Sequence, residues 1–221
     1  FHSARWDHQI DLKGKKVAII GNAASALQFI PHVAEVAEQV NVYQRSANYV
    51  VPRNERAYTQ AEKARFARFP WWQRLHRLSV FIRGEIMYGA IANKRFFQWL
   101  LARQARQYLE EQVQDPELRA TLTPDYPIGC KRILVSDNYY QAMVRSNVRV
   151  VTSPISAIGE HSIQTNDGDS VDADVIIYGT GFETTKLLAP VDFRGRDGVS
   201  LQKVWKDGAE AYRGVCTSGF P

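Results

Sequence analysis

Several stretches of this sequence carry groups suited to holding a phosphorylated ligand. Val17-Ala18-Ile19-Ile20-Gly21 is an apolar run that breaks at glycine and continues as Asn22-Ala23-Ala24-Ser25-Ala26-Leu27-Gln28. A short β-branched run without alternation predicts a parallel strand buried on both faces. From Ser25 onward Leu27, Ile30, Val33, Ala34 and Ala37 recur at three and four residues, which predicts a helix starting close behind the glycine. Its unpaired N–H groups and positive dipole end then face the carboxyl edge of the strand, the geometry of a pyrophosphate site. The spacing is that of the G-x-G-x-x-G/A fingerprint, with Gly21, Ala23 and Ala26 at its three small-residue positions. Ala26 is an accepted variant, whereas Ala23 puts a methyl group where backbone usually approaches phosphate most closely. An ordinary buried βα turn is the alternative reading of this stretch.

Two cationic positions sharpen the first reading. Gln39 to Tyr43 reads as the next strand and ends at Gln44-Arg45-Ser46, where an NAD enzyme usually places a carboxylate for the ribose 2′-hydroxyl. A carboxylate there would repel a 2′-phosphate and a guanidinium would grip it, so Arg45 with Ser46 points to NADP(H). A solvated arginine at a strand end is the competing interpretation. Further along, Thr123-Pro124-Asp125-Tyr126-Pro127-Ile128-Gly129-Cys130-Lys131-Arg132 is a loop by its prolines and glycine, and it ends in two adjacent cations. Loops held on a rigid sheet are where chemistry tends to sit, although such a pair read alone is as well explained by surface charge. Cys130 has a cationic neighbour that favours its thiolate.

The elements that must position these residues follow from composition and periodicity. With 221 residues the chain can bury a sizeable core without staples. Two cysteines, Cys130 and Cys216, give neither a disulfide framework nor metal-ligand spacing, so no metal and a reducing, cytoplasmic setting are expected. No leader pattern is read and no apolar run reaches transmembrane length. The net charge of +5 is regional: from Arg53 to Arg106 there are 12 Lys or Arg against 3 Glu, a local balance of +9, which leaves the rest acidic. Residues 54–125 depart from βα alternation. Trp71, Leu75, Leu78, Ile82 and Ile86 fall at helical spacing, Phe96, Leu100, Arg103 and Gln107 continue it, and Asp115-Pro116-Glu117 is a helix start. Three or four helices are expected here, packed through the aromatic and apolar stripe with the basic face in solvent. On that reading neither a nucleic-acid nor a membrane partner is expected. Beyond the insertion, Asn147 to Val151 reads as a strand, Ser162–Thr165 and Ser170–Ala173 as a hairpin about Asn166-Asp167-Gly168, and Asp174 to Tyr178 as a buried strand ending at Gly179-Thr180-Gly181.

The motifs together resemble those of Baeyer-Villiger-type (class B) flavin monooxygenases. His2-Ser3-Ala4-Arg5-Trp6 is similar to the second half of the family's F-x-G-x-x-x-H-x-x-x-W sequence, with His2 and Trp6 at its H and W. Gly21 to Gln28 resembles the glycine turn G-T-G-A-S-A-x-Q that binds NADPH, and Gln44 to Arg53 the Q-R-T-x-N-W-V-x-P-R segment. Gly129 to Tyr140 resembles G-C-K-R-x-L-x-x-D-x-Y-Y through Asp137, Tyr139 and Tyr140, and Gly179 to Phe182 resembles A-T-G-F with glycine for the alanine. Tyr212 to Pro221 looks like the strand that returns to a flavin domain.

The resemblance implies an α/β fold, a Rossmann-like nucleotide-binding sheet with a helical insertion. Its domains would be residues 1–53 and 126–182 for NADP binding, 54–125 for the insertion, and 183–221 for a connection toward a flavin domain absent from this chain. It implies NADP(H) contacts from Gly21, Asn22, Ala23, Ala24, Ser25, Ala26, Gln28, Arg45, Ser46, Lys131, Thr180 and Gly181, and a catalytic role for Arg132 at the flavin face. Cys130 is then structural, since the family uses no thiol chemistry. The parent enzyme would use NADPH, FAD and molecular oxygen to convert ketones to esters or lactones through a flavin C4a-peroxide. N- or S-oxygenation as in flavin-containing monooxygenases is the neighbouring reading, and a nucleotide-binding module without turnover is the reading for this chain alone.

Overall fold

The structure is a computed structural model and describes residues 1–92, 94–182 and 191–220. It divides into two compact units, Phe1–Thr180 and Gly181–Pro221. In the first, the chain runs β1 (Lys16–Ile20), α1 (Ala24–Val36), β2 (Gln39–Tyr43), β3 (Val50–Val51), α2 (Gln60–Arg68), α3 (Pro70–Ile91), α4 (Arg95–Gln112), α5 (Pro116–Thr121), β4 (Leu134–Val135), α6 (Tyr139–Met143), β5 (Val148–Val151), β6 (Ile155–Ile158), β7 (Ser162–Thr165), β8 (Ser170–Asp172) and β9 (Val175–Tyr178).

β1, β2, β5 and β9 form a parallel sheet in the order β5-β2-β1-β9, with Val17 in register with Val40 on one side and Val175 on the other. Strand alternation divides its side chains between two layers. Val17, Ile19, Val40 and Val42 pack with Leu27, Ile30, Val33 and Ala34 of α1 and with α6, whereas Ala18 and Tyr43 pack with Val151 and Ile163 beneath the antiparallel sheet β6-β7-β8. Both faces are covered, which is why β1 reads as a continuous apolar run. Each fully buried aliphatic side chain contributes roughly 1.5–3 kcal/mol, so the α1 layer fixes the turn between β1 and α1 firmly.

A second, smaller ladder matters for the site. β3 and β4 pair in parallel, Val50 with Leu134 and Val51 with Val135, extended by Leu134 N–H to Tyr49 O at 2.9 Å and Ser136 N–H to Val51 O at 3.0 Å. The chain therefore leaves for the helical insertion and returns from it on adjacent strands. Asp137 closes this ladder: its carboxylate accepts from the backbone N–H groups of Arg53, Asn54 and Glu55 at 2.7, 3.0 and 3.3 Å. Burial pushes this carboxyl up, but the N–H donors and Arg53 outweigh it and hold it below its ordinary value. A depressed folded-state pKa gives stability that is complete above the unfolded pKa, about 4, and is lost as pH falls through the folded value. Asp137→Asn is accordingly expected to cost about 1–2 kcal/mol at pH 7 and to lose less stability than the parent on acidification from pH 5 to pH 3. Equal acid sensitivity in denaturant titrations would show that this carboxylate does not anchor the ladder.

Among the described residues four helices lie between β3 and β4. Asp115 caps α5 by accepting from Glu117 N–H at 2.9 Å with proline at the helix start, as its sequence predicts. The expected packing of the insertion is corrected. Trp71, Leu75, Leu78 and Ile82 are exposed, at 56%, 52%, 51% and 49%, and Phe96 and Leu100 are exposed as well. On α4 the buried residues are Leu101, Ala105, Tyr108 and Leu109, and Leu101 and Ala105 pack with Val51 and Ile128. The row chosen from the spacing lies on a neighbouring face, because α4 carries apolar residues on both. Nor do the aromatics stand apart from the cations: Arg65 lies over Trp72, Arg68 over Phe69 and Arg103 over Trp99 at 5.3–5.9 Å. No helix among the described residues is long and apolar enough to cross a membrane.

Other differences are local. β6 joins the anticipated hairpin as a third strand, α6 follows Asn138, and neither element was anticipated. Trp6 packs edge-on against Phe29 of α1 at 5.4 Å, while Phe1 and His2 run beside β9 through the His2–Tyr178 bridge. In the second unit, α7 (Leu201–Val204) is the one α-helix among the described residues. Where a strand is expected from Tyr212 onward, Tyr212 to Cys216 form a turn closed by Tyr212 N–H to Cys216 O at 2.7 Å. Residues 183–190, the start of the expected connection, and Pro221, its end, lie outside the described residues.

Candidate functional site

The carboxyl ends of β1, β2 and β9 open onto a cleft of about 470 Å³ lined by Gly21, Asn22, Ala23, Tyr43, Arg45, Ser46, Asn48, Lys131 and Thr180 among others. Gly21 shapes its floor. Its φ is +105°, and a Cβ placed there would lie 2.6 Å from the Gly179 carbonyl oxygen. No side chain at this position can satisfy both the left-handed backbone and that contact. Gly21 N–H donates to Tyr43 O and Gly179 N–H to Ile20 O, each at 2.9 Å, so the three strand ends are sewn together at the turn. α1 begins at Ala24 with Ala23 as its N-cap, and no side chain caps it. Its first-turn N–H groups therefore keep their capacity to receive an anion.

The sequence-derived residues divide into three roles. Gly21, Asn22, Ala23, Arg45, Ser46, Lys131 and Thr180 line the cleft. Ala24 and Ser25 lie in the first turn of α1 without lining it. Ala26 and Gln28 are not cleft residues: Ala26 is wholly buried, with its Cβ 3.1 Å from where a Cβ on Gly179 would stand, and the Gln28 amide donates back to Ala24 O at 2.9 Å. Gly179 thus stands close against Ala26, and an added methyl group there would press on it. Arg132 is exposed next to Lys131 and does not line the cleft. Gly181, with φ +92°, begins the second unit.

Hydrogen bonds among Asn22, Ser46 and Lys131, with Gln44 and Asn48 as residues not singled out from the sequence, hold the cationic edge in place. The Asn22 amide donates to Gln44 Oε1 at 2.8 Å and Ser46 O at 2.9 Å, and Asn48 donates to Asn22 O at 3.1 Å. Gln44 is buried and donates onward to Thr121 O at 3.1 Å. Asn22 is therefore a bolt between the glycine turn and the exit of β2, a role its polarity in an otherwise small-residue turn foreshadows. Lys131 Nζ donates to Ser46 Oγ at 2.8 Å across 85 residues of sequence. Arg45 is exposed on the same loop. A glycine turn, an uncapped helix start, a guanidinium and an ammonium thus converge on one opening, an arrangement able to hold a molecule with several phosphates. Among the described residues no cluster of His, Cys, Asp or Glu could hold a metal ion.

This geometry defines an α/β protein with a Rossmann-like sheet and, at its carboxyl edge, a cleft lined by Arg45 and Lys131. The sequence matches the flavin-binding monooxygenase-like family over residues 1–188, and the chain belongs to that family. It is 41% identical over its whole length to a Baeyer-Villiger monooxygenase of Pseudomonas aeruginosa and 39% identical to one of Streptomyces coelicolor, covering 42% and 43% of those proteins. Among solved structures it is similar to cyclohexanone monooxygenase in its open form (TM-score 0.79, 27% identity, all of this chain and 50% of that one). It is also similar to steroid monooxygenase bound to NADP (TM-score 0.77, 30% identity, 99% and 49%). The chain spans about half the length of these relatives.

Proposed function

We propose that this chain is the NADP(H)-binding part of a flavin-dependent monooxygenase whose complete protein converts ketones to esters or lactones. The observation that carries the reading is the meeting of Lys131 and Ser46 at 2.8 Å on the loop that presents Arg45, at the mouth of the cleft floored by Gly21. Two cations beside a βα turn suit a nucleotide with one phosphate more than NAD carries. The relatives named Baeyer-Villiger monooxygenases and the neighbour bound to NADP support the same cofactor and reaction class.

NADP fits the residues present. The turn at Gly21 leaves backbone N–H groups free to approach a pyrophosphate, the open start of α1 favours negative charge, and Arg45 and Lys131 face the extra phosphate. FAD, when bound, supplies the oxygen-transfer chemistry, and this chain supplies position and charge. Arg132 sits one residue beyond the Lys131 anchor and is exposed, so that its guanidinium is available to negative charge developing on the substrate oxygen. A preorganised cation acts most strongly where charge increases during the reaction. Residues 183–221 belong in this proposal to the segment joining the two nucleotide-binding parts.

The complete protein, purified and assayed for NADPH-dependent oxygen uptake with a ketone and with a thioether, tests this reading. A yellow protein forming ester or lactone is the expected result. Sulfoxide formation without ester would assign it to N- or S-oxygenation, and the absence of bound flavin and of NADPH consumption would overturn both.

A further inference from the structure

We infer that Tyr126 is a positioning residue for recognition of the 2′-phosphate: its ring seats the Lys131 ammonium beside Ser46, and its hydroxyl ties the Lys131 loop to the exit of β2. The inference rests on the NADP(H) reading above and adds to it a residue that lies outside the cleft lining.

Three contacts converge on this side chain. Lys131 Nζ stands 4.2 Å from the Tyr126 ring centroid and, at the same time, 2.8 Å from Ser46 Oγ. The Tyr126 hydroxyl donates to Ala47 O at 3.1 Å. The Tyr49 hydroxyl donates to Tyr126 O at 2.9 Å, and the two rings meet edge to face at 5.6 Å and 89°. Residues 46, 47 and 49 all belong to the loop that carries Arg45. Tyr126 therefore connects the two cationic segments through its ring, its hydroxyl and its backbone.

The local sequence produces this juxtaposition. Cys130 N–H donates to Pro127 O at 3.2 Å, and Gly129 has φ +94°, so Pro127-Ile128-Gly129-Cys130 is a tight turn with glycine at the position that requires a positive φ. That turn reverses the chain and brings Lys131 back over the ring five residues earlier. Tyr126 is partly buried, and burial pushes its phenol above the ordinary value, so the hydroxyl stays protonated and able to donate to Ala47 O.

The physical role is preorganisation. A lysine side chain free in solvent gives up rotamer entropy when it is fixed on a ligand. An ammonium already held over an aromatic face and against a hydroxyl has lost part of that freedom before the nucleotide arrives. The benefit applies only to a ligand that uses Lys131, so it should appear as discrimination between NADP⁺ and NAD⁺.

The test uses the complete, flavin-loaded protein and the dissociation constants of NADP⁺ and NAD⁺. Tyr126→Leu is expected to weaken NADP⁺ by about three- to tenfold and NAD⁺ by less than about twofold, whereas Tyr126→Phe, which keeps the ring, should retain most of the discrimination. Tyr126→Met replaces the leucine variant if that protein does not fold. In a Lys131→Ala background Tyr126→Leu should have little further effect on NADP⁺, because the two residues act through one contact. Equal weakening of both nucleotides, or full additivity with Lys131→Ala, would overturn the inference. If Lys131→Ala shifts the NADP⁺/NAD⁺ ratio and Tyr126→Leu does not, the Tyr126 role alone fails. If neither Lys131→Ala nor Arg45→Ala shifts it, the NADP(H) reading fails as well.

Discussion

Replacing Arg45 by alanine is expected to weaken NADP⁺ binding roughly 10- to 100-fold while leaving NAD⁺ within about twofold, the range set by charge-assisted hydrogen bonds of about 1.5–3 kcal/mol. The argument is electrostatic and geometric. Arg45 is exposed at the cleft mouth, on a loop fixed from both sides by Asn22 and Lys131. Among the described residues no carboxylate forms an ion pair with its guanidinium, which offers a planar fork that suits a phosphate. Lysine at this position should recover only part of the loss, because a point charge cannot form the paired hydrogen bonds. Titration of the complete protein with both nucleotides decides the matter: equal losses would mean that the 2′-phosphate is held elsewhere.

The second large effect is expected at Gly21. Gly21→Ala should destabilise the protein by about 3 kcal/mol or more and abolish measurable NADP⁺ binding, since a left-handed backbone and a contact with another main chain are violated together. The methyl group would sit 2.6 Å from the Gly179 oxygen and 2.9 Å from its carbonyl carbon. The main chain at Gly179, tied by its N–H to Ile20 O at 2.9 Å, cannot step aside as a flexible side chain can. Gly14→Ala provides the control, because Gly14 also has a positive φ, +66°, but nothing within 4 Å of the added carbon. That variant should cost only about 1 kcal/mol. Denaturant midpoints that move equally in the two variants would show that conformation alone, and not the Gly179 contact, requires glycine at the turn.

The features that the sequence reveals are those with local causes. The βα turn is legible because Val17 to Ile20 is apolar without alternation and Gly21 ends it, and the place of Arg45 at the cleft because it directly follows the second strand of the βαβ unit. The hairpin about Gly168 and the start of α5 at Asp115-Pro116 follow from turn and cap chemistry. The rest depends on partners distant in the chain. β3 and β4 are two residues each and exist because they pair with one another across the insertion. Three of the four residues of β6 are exposed, so no hydrophobic alternation marks it. Helical periodicity identifies α4, but with Phe96 and Phe97 on adjacent faces only tertiary contacts decide which face is buried. The same holds within the cleft: Asn22 and Tyr126 serve by holding Arg45 and Lys131 in place, and such roles leave no spacing rule in the sequence.

The short ladder of β3 and β4 has a consequence for how proteins of this kind diversify. Departure and re-entry of the helices are pinned to neighbouring strands and clamped by Asp137. Lengthening or shortening the excursion therefore adds only a slowly growing closure entropy, about 0.6 kcal/mol per doubling of a flexible loop. The ends of the insertion, and the cleft-lining segments beside them, keep their places whatever its length.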